Sequence, residues 1–90
     1  MNFEWDDRKA ATNLRKHRVP FSEAATVFGD PLAYTFSDPD SSIGESRWLT
    51  FGISTKGRLL IVSHVGRSGK VRVISARKVT SHERKIYEEG

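Results

Sequence analysis

The first part of the chain has the apolar spacing of helices. Apolar residues recur on one side of residues 7 to about 17, and Asp6 is in position to cap this helix at its start. Pro20 interrupts the pattern, and Ser22 is suited to cap a second short helix with an apolar face. The spacing therefore predicts two short helices that pack as a corner.

The second half of the chain has the spacing of β-strands. Residues 47–54, 58–65 and 70–77 are strand-like and are joined by glycine-containing connections of hairpin length. The middle segment is apolar at consecutive positions, which indicates that both faces of the sheet centre are covered. Residues 3–5 and 32–36 are predicted to form two further, brief strands.

The chain ends with a helix signal. Thr80 and Glu83 have the spacing of a capping box that opens a helix to about Glu89, although few residues of this helix are apolar. The predicted fold class is thus α+β, a small antiparallel β-sheet flanked by two N-terminal helices and one C-terminal helix. A chain of 90 residues is expected to form a single domain, residues 1–90.

Composition restricts the compartment and the chemistry. The sequence contains no cysteine, which excludes disulfides, thiolate zinc sites and cysteine nucleophiles. No apolar run is long enough to span a bilayer, and Met1 is followed by polar and acidic residues rather than by a basic and then apolar leader. We therefore expect a cytoplasmic protein without membrane contact.

Positive charge is concentrated in the predicted sheet. Residues 1–45 have 5 basic and 8 acidic side chains, whereas residues 46–90 have 10 and 3. Between Ser46 and His82 there are eight Lys and Arg side chains and no Asp or Glu. A surface of this kind attracts a polyanion such as nucleic acid. An acidic protein partner, or the solubility of a strand-rich segment, is the alternative interpretation.

The residue types favour chemistry without a metal. His17, His64 and His82 stand apart in the sequence, and no HExxH motif or carboxylate cluster accompanies them, so we expect no metal site. RNA can be cleaved by its own 2′-hydroxyl, a reaction that requires only a base, an acid and positive charge at the phosphate.

The predicted sheet contains candidate groups for this reaction. Strict alternation places Arg72 and Arg77 on opposite faces of one strand, unless a bulge near Ser75 brings them to the same face. His64 lies near the end of the middle strand, where it is either a proton carrier or a hydrogen-bonded structural histidine.

One face of the first predicted helix is a further candidate. Lys9, Asn13 and Lys16 recur at i, i+4 and i+7, so their side chains stack on one face. These three residues either contact one ligand or form an ordinary solvated helix face.

Motifs at both ends of the chain resemble the BrnT family of type II toxins. The opening has the pattern WD-xx-K-xxx-N-xx-KH, and the ending has the pattern R-x-ISAR followed by ER-xx-Y. The likeness extends from about Phe3 to Glu89, with Arg18 where such sequences usually have glycine. A glycine accepts a left-handed helix cap freely, whereas Arg18 is expected to adopt it at a cost of about 1 kcal/mol.

The resemblance implies a fold and a biological role. The fold is that of RelE-like ribonucleases, and the role is that of a toxin that inhibits translation by cutting RNA, without a metal or other cofactor. It further implies neutralisation by a BrnA-type antitoxin with a DNA-binding domain, through which alone the pair contacts operator DNA. A non-catalytic basic module that binds nucleic acid or protein is the alternative function.

The resemblance and the charge pattern together define an expected set of site residues. The catalytic side chains are expected to be Lys16, His17, Arg47, His64, Arg72 and Arg77. RNA-binding residues are expected to be Lys9, Asn13, Arg58 and Lys70, and supporting residues Glu45, Glu83, Arg84 and Tyr87. Within this set, His64 or Lys16 is expected to transfer protons and the arginines to stabilise the phosphate, with Glu45 as a weaker candidate base.

Overall fold

A computed structural model of the protein describes residues 1–39 and 46–89. In chain order the elements are β1 (Asn2–Glu4), α1 (Asp7–His17), α2 (Phe21–Thr26), a 3₁₀ turn (Val27–Gly29), β2 (Tyr34–Ser37), β3 (Trp48–Ile53), β4 (Leu59–Arg67), β5 (Lys70–Lys78) and α3 (Ser81–Glu89). Within the described ranges, these helices and strands confirm the α+β class. The predicted cap of α2 is wrong, because Pro20 occupies the cap position and Ser22 lies inside the helix.

The sheet is mixed rather than antiparallel. Its strand order is β1-β5-β4-β3-β2, and the four strands from β2 to β5 form an antiparallel meander. β1 lies at the other edge and runs parallel to β5, with Asn2 opposite Lys70 and Glu4 opposite Arg72. The spacing of apolar residues in a three-residue strand contains no information on pairing direction, which explains why the sequence did not predict this edge.

A register shift between β4 and β5 decides which side chains share a face. Ser63 lies opposite Ser75 but His64 lies opposite Val73, so Ile74 is an extra residue in β5. Directly opposed residues point to the same face of a sheet. We call the side that packs against α1 and α2 the helix face, and the other side the distal face.

The bulge at Ile74 brings the two strand arginines to one face. Arg77 lies opposite Ile61, and Arg72 lies opposite Val65. Each of these pairs is next to a pair whose side chains face the helices, Val62 with Ala76 and His64 with Val73. Both arginines therefore lie on the distal face, and strict alternation, which separates them, does not hold across the bulge.

The main core lies between the helices and the sheet. It consists of buried apolar residues from both layers: Val19, Phe21, Ala24, Val27, Leu60, Val62, Val73 and Ala76. The indole of Trp5 packs edge-on against Phe21 and extends this core towards the start of α1. Within the described residues no helix is long and apolar enough to cross a membrane.

Asn13 joins α1 to the sheet. β1 pairs with only three residues of β5, which leaves the backbone of Ala76 without a neighbouring strand on that side. The Asn13 amide takes the place of a strand: Ala76 N donates to Oδ1 at 3.0 Å, and Nδ2 donates to Ala76 O at 2.9 Å and to Val19 O at 2.9 Å. Both amide hydrogens of Asn13 are used, and the residue is 4% exposed. Asn13 was expected to bind RNA, but its amide hydrogens are used by the protein backbone.

α3 is attached to the distal face mainly by polar contacts. The predicted capping box is confirmed, because Glu83 N donates to Thr80 Oγ1 and Thr80 N donates to Glu83 Oε1. At the other end the Tyr87 hydroxyl donates to Asp30 Oδ2 at 2.8 Å. No residue of α3 is buried. Its position therefore depends on the Tyr87–Asp30 hydrogen bond and on the ion pair of Glu83 with Arg77 rather than on an apolar seam.

Arg18 ends α1 in the left-handed conformation that favours glycine. Its φ is 59° and its ψ is 31°, and its N–H donates to Leu14 O at 3.0 Å. The departure from glycine at this position therefore leaves the cap geometry in place at an energetic cost.

Replacing Arg18 with glycine is expected to stabilise the protein. Arg18→Gly removes the left-handed penalty at the cap and should raise the free energy of unfolding by about 0.5–1 kcal/mol. The matched control Arg15→Gly, inside α1, should lower it by about 1 kcal/mol. Chemical denaturation measures both, and a loss of stability in Arg18→Gly equal to that of the control would contradict this account of the cap.

Candidate functional site

A basic groove lies between α1 and β5, beyond the end of β1. Its volume is about 280 Å³, and its lining residues come from the two elements: Arg8, Lys9, Thr12, Asn13, Lys16, His17, Ile74 and Ser75. Lys9, Asn13 and Lys16 thus line one groove, as their helical spacing predicted. Arg8, Lys9 and Lys16 form no salt bridge with another described residue, although Lys9 interacts electrostatically with Asp6, so this groove keeps a net positive charge.

A polar cleft lies on the distal face of the sheet. Its volume is about 210 Å³, and it is lined by an apolar pair and four polar residues: Leu49, Ile61, Asp38, Ser63, Ser75 and Arg77. Ser63 and Ser75 are directly opposed on neighbouring strands, and the register places both on this face. Ser75 also lines the basic groove. The groove and the cleft therefore meet at Ser75, around the edge of β5.

Arg77 is held at the cleft by Glu83. Its Nη1 and Nη2 donate to Glu83 Oε1 and Oε2, both at 2.8 Å, and Nη1 also donates to Lys78 O at 3.2 Å. This pairing raises the pKa of Arg77 and lowers the pKa of Glu83 to about 2. A guanidinium has five N–H groups, so two remain for a ligand, and 41% of the Arg77 side chain is exposed.

Arg72 and Arg47, the other arginines of the expected site, lie on the distal face with Arg77 but at different positions on it. Arg72 Nη1 forms an ion pair with Glu4 Oε2 at 3.1 Å, at the β1 edge. Arg47 lies one residue before β3, and alternation along the strand places it on the distal face with Leu49. Its carbonyl accepts a hydrogen bond from Asp38 N at 2.9 Å, which puts Arg47 at the rim of the polar cleft.

The structure does not bring His64 together with the arginines. His64 lies opposite Val73 on the helix face, is 8% exposed, and packs edge-on against the ring of Phe28 at 4.8 Å. Its Nε2 and Thr50 Oγ1 are hydrogen bonded at 2.7 Å. Burial lowers the pKa of His64 to about 4, so the ring is neutral at pH 7. Of the two alternatives for His64, the structure supports a hydrogen-bonded structural histidine rather than a proton carrier.

Arg58 has a structural role rather than the expected role in RNA binding. Its Nε donates to Glu23 Oε2 at 2.9 Å, and its Nη2 donates to Arg18 O at 3.0 Å. Glu23 is buried, it also accepts a hydrogen bond from Ser54, and the contact with Arg58 lowers its pKa to about 2. Arg58 therefore ties the start of β4 to both N-terminal helices.

The remaining expected residues lie away from the cleft or outside the described part of the chain. Lys70 is exposed at the β4–β5 turn and lies beside Met1 and Trp5, far along β5 from Ser75. Arg84 pairs with Glu88 on the exposed side of α3. Glu45 lies outside the described residues.

The charge distribution in space differs from that along the sequence. Three arginines of the sheet region are paired with acids outside residues 46–82: Arg58 with Glu23, Arg72 with Glu4 and Arg77 with Glu83. The sheet is therefore less positive than residues 46–82 indicate. Asp38, Ser63 and Ser75 were not predicted from the sequence as site residues. The two serines did carry a signal, since each is a polar residue within an otherwise strand-like segment.

The neutral state of His64 predicts a specific loss of stability in acid. The folded-state pKa of about 4 lies below the ordinary value of 6.5, so stability is complete above pH 6.5 and declines towards pH 4, where the unfolded chain binds a proton that the folded chain excludes. The loss should reach up to about 3 kcal/mol.

Substitution of His64 distinguishes its contribution to the loss of stability in acid from that of the carboxylates. In His64→Gln the free energy of unfolding should change little between pH 6.5 and 5, whereas His82→Gln, at an exposed position of α3, should follow the wild-type curve. Glu23 and Glu83 contribute mainly below pH 5, as the pH approaches their ordinary value of 4.5. Parallel curves for His64→Gln and wild type across this range would show that His64 is not the buried neutral group described above.

No cluster of three or more His, Asp or Glu side chains with the arrangement of metal ligands occurs in residues 1–39 and 46–89. The groups that meet at Ser75 are instead cations, hydroxyls and one carboxylate. Such a set can bind a phosphate and exchange protons with it.

Comparison with known proteins identifies a family and a solved structure with a similar fold. The model of the family described as "Ribonuclease toxin, BrnT, of type II toxin-antitoxin system" matches residues 5–83. No curated protein sequence matches the chain significantly. The 1.1 Å crystal structure of the Brucella abortus ribonuclease toxin, BrnT, has a TM-score of 0.69 and 21% sequence identity, over 90% of this chain and 99% of that chain. At this identity the likeness establishes a shared fold.

Proposed function

This chain belongs to the BrnT family of ribonuclease toxins of type II toxin–antitoxin systems, and we propose that it cleaves RNA without a metal ion. In this proposal the basic groove binds the RNA backbone and the polar cleft contains the scissile phosphate. The observation that carries it is the position of Ser75, which lines both. One RNA strand can therefore contact the groove and enter the cleft without crossing α1 or the sheet.

The basic groove suits a phosphodiester backbone. Arg8, Lys9 and Lys16 contribute positive charge from one side of α1, and none of them forms a salt bridge with a carboxylate of the described residues. Phosphate contacts of this kind supply affinity and orientation without base recognition. Most of this groove therefore binds the RNA backbone and takes no part in the chemistry.

The cleft suits cleavage by the 2′-hydroxyl of the RNA. The two N–H groups that Arg77 does not spend on Glu83 and Lys78 can donate to phosphate oxygens, where negative charge develops. Lys16 and His17 reach the junction from the end of α1 and are the candidates for the proton that the leaving 5′ oxygen needs. Arg47 adds charge at the rim, Arg72 acts at longer range, and we assign no catalytic role to His64.

A toxin of this class needs a partner that silences it. We propose a BrnA-type antitoxin with a DNA-binding domain, which covers the polar cleft and links the pair to operator DNA. Cleavage of messenger RNA would then inhibit translation when the antitoxin is lost. Support for this comes from membership of the family.

One observation favours a second function. Glu83 takes two of the N–H groups of Arg77, as a phosphate would. A protein in which Arg77 stays paired would bind RNA in the groove without cutting it. This non-catalytic binding module differs from the proposed ribonuclease in its products rather than in its affinity.

The products of the reaction test the proposal. With a short single-stranded RNA and excess chelator, the protein should yield fragments with a 2′,3′-cyclic phosphate and a 5′-hydroxyl, because the 2′-hydroxyl is the nucleophile. The same RNA with a 2′-deoxy sugar at the cleaved position should stay intact. Loss of activity in chelator with recovery in magnesium would sink the metal-independent mechanism, and binding without products would favour the non-catalytic module.

The groove lysines are expected to control the salt dependence of binding. Each lysine that contacts a phosphate contributes about −0.7 to the slope of log affinity against log salt for a single strand, so the double variant Lys9→Ala/Lys16→Ala should reduce the slope by about 1.4. The matched control is Lys56→Ala/Lys85→Ala, which removes the same charge from exposed positions elsewhere. Binding is measured with a strand that lacks 2′-hydroxyls. Equal slopes for the two double variants would mean that net charge, and not the groove, binds the backbone.

A further inference from the structure

We infer that Asp38 is the general base that removes the proton from the attacking 2′-hydroxyl, an inference that rests on the proposed function. Asp38 lines the polar cleft together with Ser63, Ser75 and Arg77. The cleft thus combines an acceptor for the proton, two hydroxyls and a guanidinium. These are the parts that transesterification at a phosphate requires.

The backbone fixes Asp38 on the distal face. It follows directly after β2, and its N–H donates to Arg47 O at 2.9 Å, which extends the β2–β3 ladder by one residue. Ser37 lies opposite Trp48, which shares the helix face with His64, so the next residue points to the distal face.

Asp38 and Arg77 approach the cleft from opposite sides. They lie beside β2 and on β5, which are separated by three strand spacings, or about 14 Å between backbones. Ser63 lies between them on β4, and Ser75 lies opposite Ser63 on β5, the strand of Arg77. A phosphate bound by Arg77 and the serines would therefore have its ribose directed towards Asp38.

The other proton acceptors near the cleft are less suited to this role. Glu83 is not among the residues that line the cleft, and its low pKa makes it a weak base. Glu4 does not line the cleft either, because it lies at the β1 edge opposite Arg72. His64 lies on the opposite face of the sheet.

The step balances without a co-reactant. The Asp38 carboxylate accepts the proton of the 2′-hydroxyl, the 2′ oxygen forms a bond to phosphorus, and the bond from phosphorus to the 5′ oxygen breaks. The 5′ oxygen takes a proton from an acid at the junction or from water. Asp38 then returns its proton to solvent, and the products are a 2′,3′-cyclic phosphate and a 5′-hydroxyl.

The test compares Asp38→Asn with wild type and with Glu89→Gln, which removes a carboxylate from an exposed position of α3. Asp38→Asn should lower the rate of RNA cleavage by about 10²–10⁴-fold, the usual contribution of general acid–base catalysis, while Glu89→Gln keeps the wild-type rate. Affinity for the same strand without 2′-hydroxyls should stay within about twofold, and the melting temperature should stay unchanged. A structural role for Asp38 would move affinity or melting as well.

The outcomes distinguish the inference from the proposed function. An Asp38→Asn protein with the wild-type rate of RNA cleavage would overturn the inference and leave the proposed function standing. A wild-type protein that does not cleave RNA would overturn both.

Discussion

The hydrogen bonds between the Asn13 amide and the backbone of Ala76 are the contact on which the functional architecture depends. β1 is too short to cover β5, and a buried strand edge without partners would cost a few kcal/mol. Asn13 satisfies both backbone groups of Ala76 and the carbonyl of Val19. One side chain thereby closes the sheet edge, fixes the rotation of α1 and holds the end of that helix. The cations of α1 face β5 because Asn13 faces Ala76.

The same contact explains why the basic groove and the polar cleft adjoin. Ser75 precedes Ala76, so the place where α1 is fixed to the strand is also the place where the basic groove reaches the polar cleft. The bulge at Ile74 then brings Arg72 and Arg77 to the distal face. Acids pair with Arg72 and Arg77, whereas Arg8 and Lys16 on α1 form no salt bridge with a described residue. In the proposed function, register and packing thus place backbone binding on α1 and the chemistry on the sheet.

Local features of the fold were predictable from the sequence, and long-range features were not. The span of α1, the capping box of α3 and the hairpin segments depend on residues a few positions apart, and the structure confirms them. The parallel pairing of β1, the bulge at Ile74 and the face of His64 depend on register between distant strands. For the site, helical spacing correctly brought Lys9 and Lys16 to one groove. It could not show that the Asn13 amide is used by the backbone, or that Asp38 lies across a cleft from Arg77.

The most direct test of the account is a chemical-shift map of the ¹⁵N-labelled protein titrated with a short single strand that lacks 2′-hydroxyls. A strand that occupies both surfaces should shift the backbone amides of Lys16, Ser75 and Arg77 together, with one common saturation curve. Shifts confined to α1, with Ser63, Ser75 and Arg77 unchanged at saturation, would show that the groove and the cleft do not act as one RNA site.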